Sequence, residues 1–401
     1  MINNSNDRLK IFVHKKFLKR ILSGHPWIYS NEIVTDHKNR LIPSGSVVGV
    51  YQSNEQFICW AIYNPHTLIA ARILSYDYSI KIDVNFFAHH FKNALALREK
   101  IFTEPYYRLI HAEADNCPGL IIDRYDNILV VQINISGMDL LWPIVEEALV
   151  KILKPKTIVL RNDSTARTKE GLPLEIKQLY TPITEPLQII ENDLYFFMDP
   201  IQGQKTGWFY DHRDNRLMIA KLSKNKSVLD CYCHSGGFSI NALARGAHFV
   251  MAIDRSEHAL KLAQMSLHAN NLKNDSCQFI LGDVMDELQN LISQNKKFDI
   301  IVLDPPAFIK NKKDIPQGSR AYRKLAKLAA QLVNPQGFLF FASCSYHMDV
   351  QNFSKQIASA IHSIGRKAQI IAKTSTAADH PLHPFLQEND YLKAQLIYFP
   401  K

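Results

Sequence analysis

From about residue 190 onward the chain alternates short, almost wholly apolar runs with stretches of helical spacing. KSVLDCY reads as a strand, SGGFSINALARG as a helix, FVMAID as a strand and SEHALKLAQMSLHANNL as a helix. CQFILGD, FDIIVLD and GFLFFASC continue as strands, separated by the helical stretches DELQNLISQ and YRKLAKLAAQLV. Strands apolar on both faces need cover on both sides, which points to an α/β fold with a doubly wound, mostly parallel sheet. Such sheets bind ligands outside the carboxyl ends of their strands. Asp230, Asp254, Asp283, Asp304 and Cys344 all fall at those ends.

At 401 residues the chain has room for two or three domains. With 46% hydrophobic and 21% charged residues, it is neither a disordered chain, a coiled coil nor a collagen-like repeat. Its apolar runs are strand-sized, so no membrane span is expected. The opening MINNSNDRLK has no apolar core before a small-residue cleavage site, so no secretory signal is expected and the default location is cytoplasmic. The six cysteines are scattered rather than spaced as a disulfide framework, which fits a reducing compartment. Cys231 and Cys233 flank a single residue with no second Cys/His pair nearby, so no metal site is expected. A net charge of +9 fits an anionic partner such as nucleic acid, and equally fits basic proteins that bind none.

Residues 1–78 read as a small β-rich unit, with β-branched and aromatic stretches punctuated at Ser44-Gly45, Ser53-Asn54 and Asn64-Pro65. Ahead of those stretches, Lys15, Lys16, Lys19 and Arg20 stand beside His25, Trp27 and Tyr29. Cations interleaved with aromatics suit phosphate contact plus base stacking. A short helix with a solvated basic face is the alternative. Residues 79–190 read as α/β: a helix with apolar spacing from Phe86 through Phe91, Ala94, Leu95 and Leu97 to Ile101, then two strands joined at Asp126-Asn127, then MDLLWPIVEEALVKILK as a helix. No catalytic cluster stands out there. Asp115, Asp123 and Arg124 read equally as turn and salt-bridge residues or as functional ones.

Five motifs carry chemistry. Gly236-Gly237 sits between a strand and a helix, where a backbone can pass close to a ligand. The loop lacks the GxGxxG spacing of a dinucleotide site. Asp254 ends the next strand, where a carboxylate can hold a ribose diol, and Asp283 is placed for an adenine amino group. Asp304-Pro305-Pro306 ends FDIIVLD as a stiff lip, since proline removes the N–H groups a sheet needs. Cys344, between two serines, is either a nucleophilic thiol or a small buried hydrophobe.

In this order SGGF, AID, GDV, DPPAF and SCS resemble the motifs of class I S-adenosylmethionine (SAM)-dependent methyltransferases. GQKTGWFYDHRDNR at 203–216 resembles the entry motif of the RlmI-like ribosomal RNA large-subunit cytosine-C5 methyltransferases. KKFLKRILSGHPWIYSNEI, RLIHAEADNCPGLIIDRY and AADHPLHPFLQENDYLK also resemble that family's pattern, so the likeness covers nearly the whole chain. It implies an RNA-binding PUA domain over 1–78, a central α/β domain over 79–190 and a Rossmann-like methyltransferase domain over 191–401. It implies SAM as cofactor, held by Lys205, Thr206, Phe209, Tyr210, Cys231, Ser235, Gly236, Gly237, Asp254, Asp283 and Asp304. It implies Cys344 as the thiolate that adds to cytosine C6, and Asp304 on the cytosine edge near N3. Lys15, Lys16, Arg20 and Trp27, with Lys310, Lys312, Arg320 and Arg323, would grip RNA. The implied partner is large-subunit (23S) ribosomal RNA, with room for a homodimer and no membrane.

The chain departs from the family pattern at CHSGGF, where SYTGGF is usual, and at Ala307, where lysine is frequent. A related methyltransferase acting on guanine in ribosomal RNA is one alternative; it needs no nucleophilic cysteine, so Cys344 discriminates. A non-catalytic RNA-binding factor is the other, and the intact SGGF, DPP and SCS set argues against it.

Overall fold

The computed structural model describes residues 9–386 and 390–401. The polar opening at 1–8 and residues 387–389 of the tail motif lie outside the described residues. The chain divides into two compact units. The first comprises the stretch up to residue 185 with 200–208 and 379–387; the second comprises 186–199, 209–378 and 388–401. The expected boundaries at 78 and 190 are linear, whereas the chain passes between the units several times. The first of those boundaries separates two sheets within the first unit.

One of those sheets orders its strands Lys10–Phe12, Ser46–Tyr51, Phe57–Tyr63, Ile69–Ser75 and Trp27–Tyr29. Ile11, Val13, Val48, Val50, Ile58, Ala61 and Ile73 fill its core. The other runs in chain order from Tyr106–His111 through Leu120–Tyr125, Ile128–Ile133 and Thr157–Asn162 to Glu175–Tyr180. Its parallel pair, Ile128–Ile133 with Thr157–Asn162, is crossed over by helices. The stretch expected as one helix there is two, Ser136–Leu140 and Trp142–Leu153, with Pro143 opening the second. The Val84–Ile101 helix is capped by Asp83, whose carboxylate takes the N–H groups of Asn85 and Phe86. It buries Phe86, Phe87, Phe91 and Ala94, while Leu97 and Ile101, expected on that face, lie exposed. Arg98 takes the inward place instead.

Arg98 is fully buried and forms a two-pronged pair with Asp115 at 2.6 and 2.8 Å. Asp123 likewise receives Arg108 at 2.8 and 2.9 Å. Asp115 and Asp123 are thus structural anions. Removing one member of such a pair strands the other's charge in the interior. Arg98→Ala should therefore cost about 3–5 kcal/mol, read as a lowered urea midpoint of the first unit.

The second unit opens with a hairpin, Leu187–Glu191 with Leu194–Met198. Asn192 and Asp193 turn it with φ of 54° and 63°, the left-handed pair a two-residue hairpin requires. Seven strands then form one sheet: β1 Ser227–Cys231, β2 Phe249–Asp254, β3 Cys277–Leu281, β4 Phe298–Leu303, β5 Val333–Ser343, β6 Gln369–Thr374 and β7 Lys393–Tyr398. Their order is β3-β2-β1-β4-β5-β7-β6, parallel except for β7. The helices are α1 Arg213–Leu222, α2 Gly237–Ala244, α3 Glu257–Ala269, α4 Val284–Ser293, α5 Ile315–Leu332 and α6 Val350–His362. Strand parity sorts the core. Leu229, Cys231, Met251, Ile253, Ile301, Leu303, Leu339 and Phe341 share one apolar cluster with α4, α5 and α6. Val228, Asp230, Val250 and Ala252 alternate with them. No helix among the described residues is long and apolar enough to cross a membrane.

Candidate active site at the strand ends

The carboxyl ends of β2, β1 and β4 lie side by side, and each delivers an aspartate. Asp254 closes β2 and is buried. Its two oxygens accept the backbone N–H groups of His234 at 2.9 Å and Ser256 at 2.8 Å. Asp230 on β1 is fully buried; Ser239 of α2 donates to its Oδ2 through N–H at 3.0 Å and Oγ–H at 2.6 Å. Its Oδ1 is buried with no hydrogen-bond partner among the described residues. Burial pushes the Asp230 carboxyl up to about 7; the Ser239 bonds oppose this, and the charges of Asp304 and Asp254 add to it.

Asp304 follows β4, where Pro305 and Pro306 end the strand. Its Oδ1 lies 3.3 Å from Nε2 of His212. Asn215 sits 3.1 Å from the ring's Nδ1, and the rings of Phe238 and Phe340 enclose it. Burial resists charging this imidazole, yet the Asp304 charge and hydrogen bond, helped by Asp211, lift its pKa above the ordinary value.

The glycine loop is bent by alternate left-handed residues, with φ of 62° at Tyr232, 48° at His234 and 79° at Gly236. A side chain at Gly237 is excluded on other grounds: its Cβ would lie 2.8 Å from Cδ of Arg216. Arg216 in turn is buried and grips Glu191 of the hairpin at 2.6 and 2.9 Å, and it donates to the Phe209 carbonyl at 2.8 Å. The hairpin therefore braces the floor of the loop.

Cys344 lies just beyond β5. Ser343 and Ser345 on either side are fully buried, and Tyr322 of α5 bridges their hydroxyls at 2.8 Å each. Ser345 Oγ also accepts the Ile309 N–H at 3.1 Å, which ties the loop after the DPP lip to this motif. Cys344 alone of the six cysteines is partly exposed. Burial pushes the thiols of Cys59, Cys117, Cys231 and Cys233 far up and that of Cys277 to about 12.

Residues 11–76 match a family model described as a PUA-like domain, and 216–356 match one described as Conserved hypothetical protein 95. Ribosomal RNA large subunit methyltransferase I of Aeromonas hydrophila is 36% identical over 393 residues, 96% of this chain and 98% of its own. The protein of the same name from Pseudoalteromonas atlantica is 35% identical, with the same coverage. The chain belongs to the ribosomal RNA large subunit methyltransferase I family. Its fold is that of a protein assigned as a methyltransferase and crystallised with SAH, with a TM-score of 0.84 at 21% identity over 97% of this chain and 100% of the other. A Streptococcus mutans protein assigned as a SAM-dependent methyltransferase gives 0.81 at 20% identity with the same coverage.

Within this family frame the sequence-expected residues separate. Ser235, Gly236, Gly237, Asp254 and Asp304 meet at the strand ends, and Phe209 joins them edge-on to His234, with ring centres 5.2 Å apart. Cys231 does not: its side chain falls on the opposite face of β1, inside the apolar cluster. Tyr210 is buried beneath Arg213. Asp283 is exposed and caps α4 through the Met285 and Asp286 N–H groups. Lys205 and Thr206 belong to the first unit, where Thr206 is buried and its carbonyl accepts Tyr125 Oη–H.

Among the RNA candidates, Lys15 and Lys16 are exposed. Arg20 is engaged by Glu32 and by the Trp27 carbonyl. Trp27 donates its indole N–H to Glu113 at 2.8 Å, with Arg72 over its ring. These two are fastened into the first unit rather than held out to a ligand. Lys310, Lys312, Arg320 and Arg323 are exposed, and Arg323 also holds Gln356 at 2.8 Å. Sequence reasoning misses His212, Glu191, Arg216 and Tyr322. His212 and Arg216 lie within the 203–216 motif, which is the available signal; Glu191 and Tyr322 have none.

Asp230 yields a sign-definite expectation. The unfolded chain ionises it above its ordinary 3.8, while the folded chain keeps the proton to about 7, so stability falls as pH rises through that window. Asp230→Asn should remove this fall, a gain of a few kcal/mol at ~1.4 kcal/mol for each pH unit of the window. Urea unfolding at the two ends of the window, on both proteins, measures it; parallel curves would contradict it.

Proposed function

We propose that the chain methylates C5 of a cytosine in large-subunit ribosomal RNA, using SAM and a covalent bond from Cys344 to C6 of the base. Family membership supports SAM-dependent methyl transfer to large-subunit RNA; the cytosine chemistry rests on Cys344. It is the one cysteine left partly exposed, held between two clamped serines beyond the strand neighbouring the Asp304 lip.

The strand-end residues fit SAM. The charges of Asp304 and Asp254 both bear on the buried Asp230, and a corner of this sign favours a ligand carrying positive charge. Asp254 would hold the ribose, the Ser235–Gly237 loop the methionine end, and Asp283 the adenine side. Bound SAM supplies an electrophilic methyl group.

C5 of cytosine is a poor nucleophile. Addition of the Cys344 sulfur to C6 gives C5 the electron density of an enamine. Once C5 carries the methyl, a base such as water takes the C5 proton and the sulfur leaves C6 with the bonding pair as a thiolate, which restores the aromatic base. Asp304, steadied by His212, would hold the polar edge of the base near N3. The target must be unstacked to enter.

Cys344→Ala should abolish methyl transfer while SAM binding, read by calorimetry, stays within about 0.5 kcal/mol of the parent. RNA carrying 5-fluorocytosine should form an adduct with the parent chain that survives denaturing gels, because fluorine blocks loss from C5. An active Cys344→Ala chain would move the reading to a guanine substrate or to a different cysteine.

The PUA-like region is proposed to add RNA affinity through Lys15, Lys16 and Lys19, all exposed. Replacing the three by glutamine should flatten the salt dependence of RNA binding by roughly two units of log–log slope, at about 0.7 per phosphate contact. An unchanged slope would assign them to solvated surface.

A further inference from the structure

We infer that the outer face of α5 seats a base-paired stem of the RNA substrate by its phosphates, so that the target nucleotide lies beside an RNA helix and not within a long unpaired strand. This rests on the reading of the chain as an RNA methyltransferase, whose substrate class it narrows. The register of α5 carries it. Arg320, Arg323, Lys324 and Lys327 are all exposed, and they stand at i, i+3, i+4 and i+7, which makes one stripe along the helix. At 1.5 Å per residue the stripe is about 10 Å long. One strand of a duplex presents about three phosphates over that length, at roughly 3.4 Å each. Neither α5 nor α6, which packs beside it, contains an Asp or Glu, and α6 adds the exposed Lys355. Among the described residues none of these cations has an ion-pair partner. Gln356 of α6 holds Arg323 through Nε at 2.8 Å, which leaves its terminal N–H groups to a ligand. A ridge of one sign repels itself, and a polyanion relieves that repulsion.

The composition of the ridge selects a stem over an unpaired strand. The exposed residues of α5 are Pro316, Gln317 and the four cations, with no aromatic ring among them. Its one aromatic residue, Tyr322, is fully buried. Unpaired RNA is held by stacking its bases on aromatic side chains. A stem keeps its bases stacked inside and offers phosphates and shape, which is what a purely cationic ridge can read. The inner face of the same helix fixes where that stem lies. Tyr322 bridges the hydroxyls of Ser343 and Ser345 at 2.8 Å each. A Cβ at Gly318 would lie 2.3 Å from Cγ1 of Ile309, so α5 packs hard on the loop that follows the DPP lip. A stem on the outer face is thereby held one helix thickness, about 10 Å, from the strand-end motifs. Because α5 returns the chain from the end of β4 to the start of the parallel β5, Arg320 lies toward the edge that carries Asp304 and Lys327 toward the opposite one.

Two RNAs test this on the full-length chain: a short hairpin whose stem ends beside an unpaired cytosine, and an unstructured strand of the same length and composition. Fluorescence anisotropy over a range of salt concentrations gives affinity and slope for each. The parent should bind the hairpin more tightly. Replacing Arg320, Arg323, Lys324 and Lys327 by glutamine should lower the hairpin's log–log slope by about two to three units, at about 0.9 per phosphate contact, and weaken binding by about tenfold or more. The slope for the unstructured strand should change by less than about one unit. Replacing Lys224, Lys273, Lys296 and Lys367, exposed elsewhere on the same unit, removes equal charge and should leave the hairpin slope unchanged. Calorimetric SAM affinity equal to the parent's shows that each variant is folded. If the fourfold variant is not, Arg320→Gln and Lys327→Gln singly should each lower the slope by about 0.9. An unchanged hairpin slope overturns the inference and leaves α5 to solvent or to an acidic protein. Equal losses for hairpin and strand overturn it in favour of an unpaired track, and an equal loss in the second fourfold variant reduces it to net charge. A chain that binds the hairpin through α5 yet transfers no methyl group to RNA would sink the methyltransferase reading instead.

Discussion

Three carboxylates crowd the ends of β2, β1 and β4, and much of the second unit is arranged around the cost of keeping them there. Each is handled differently. Asp254 spends its two oxygens on backbone N–H groups that shape the glycine loop and the start of α3. Asp304 leans on the buried His212. Asp230 takes two bonds from Ser239 and still keeps its proton to about neutrality. On the proposed reading, a negatively charged corner of this kind would favour the cationic methyl donor over the neutral thioether left after transfer.

The same crowding explains why the loop between β1 and α2 is strained. The chain turns left-handed at Tyr232, His234 and Gly236, and the N–H of His234 donates to Asp254. Only one of these is glycine, so the strain must be sustained by packing around it. Gly237 allows Arg216 to pass beneath the loop, and Glu191 fixes Arg216 from the hairpin. A residue before the first strand of the sheet therefore supports a loop after it.

The alternation of apolar runs and helical stretches makes the parallel sheet legible, and the aspartates are visible as strand ends because a parallel sheet exposes little else. What the sequence does not disclose follows from longer-range geometry. Cys231 adjoins the glycine loop and so reads as a cofactor contact; period-two parity instead sends it into the core and leaves Asp230 facing Ser239. Arg20 and Trp27 have the chemistry of an RNA site, but Glu32 and Glu113 claim them, and neither partner is recognisable from spacing. Arg98 occupies an inward helical position where periodicity favours Leu97 and Ile101, since a fully paired charge can be buried in place of an apolar side chain.

Lys393 shows the strongest form of this limit. In a wholly parallel sheet, the residues that open a strand lie at the edge opposite the ligand site. β7 runs against its neighbours, so its first residue arrives at the edge where β5 ends. The inversion brings the start of a C-terminal strand level with the SCS motif. The sequence shows it only as the last residue of the AADHPLHPFLQENDYLK motif, and KAQLIY by itself reads as any strand with a charged first residue. The antiparallel strand thus adds to the sheet something its parallel members cannot: a side chain that enters the strand-end corner from the opposite chain direction, with its ammonium on the Ser345 carbonyl and on the far side of β4 from Asp230 and Asp254.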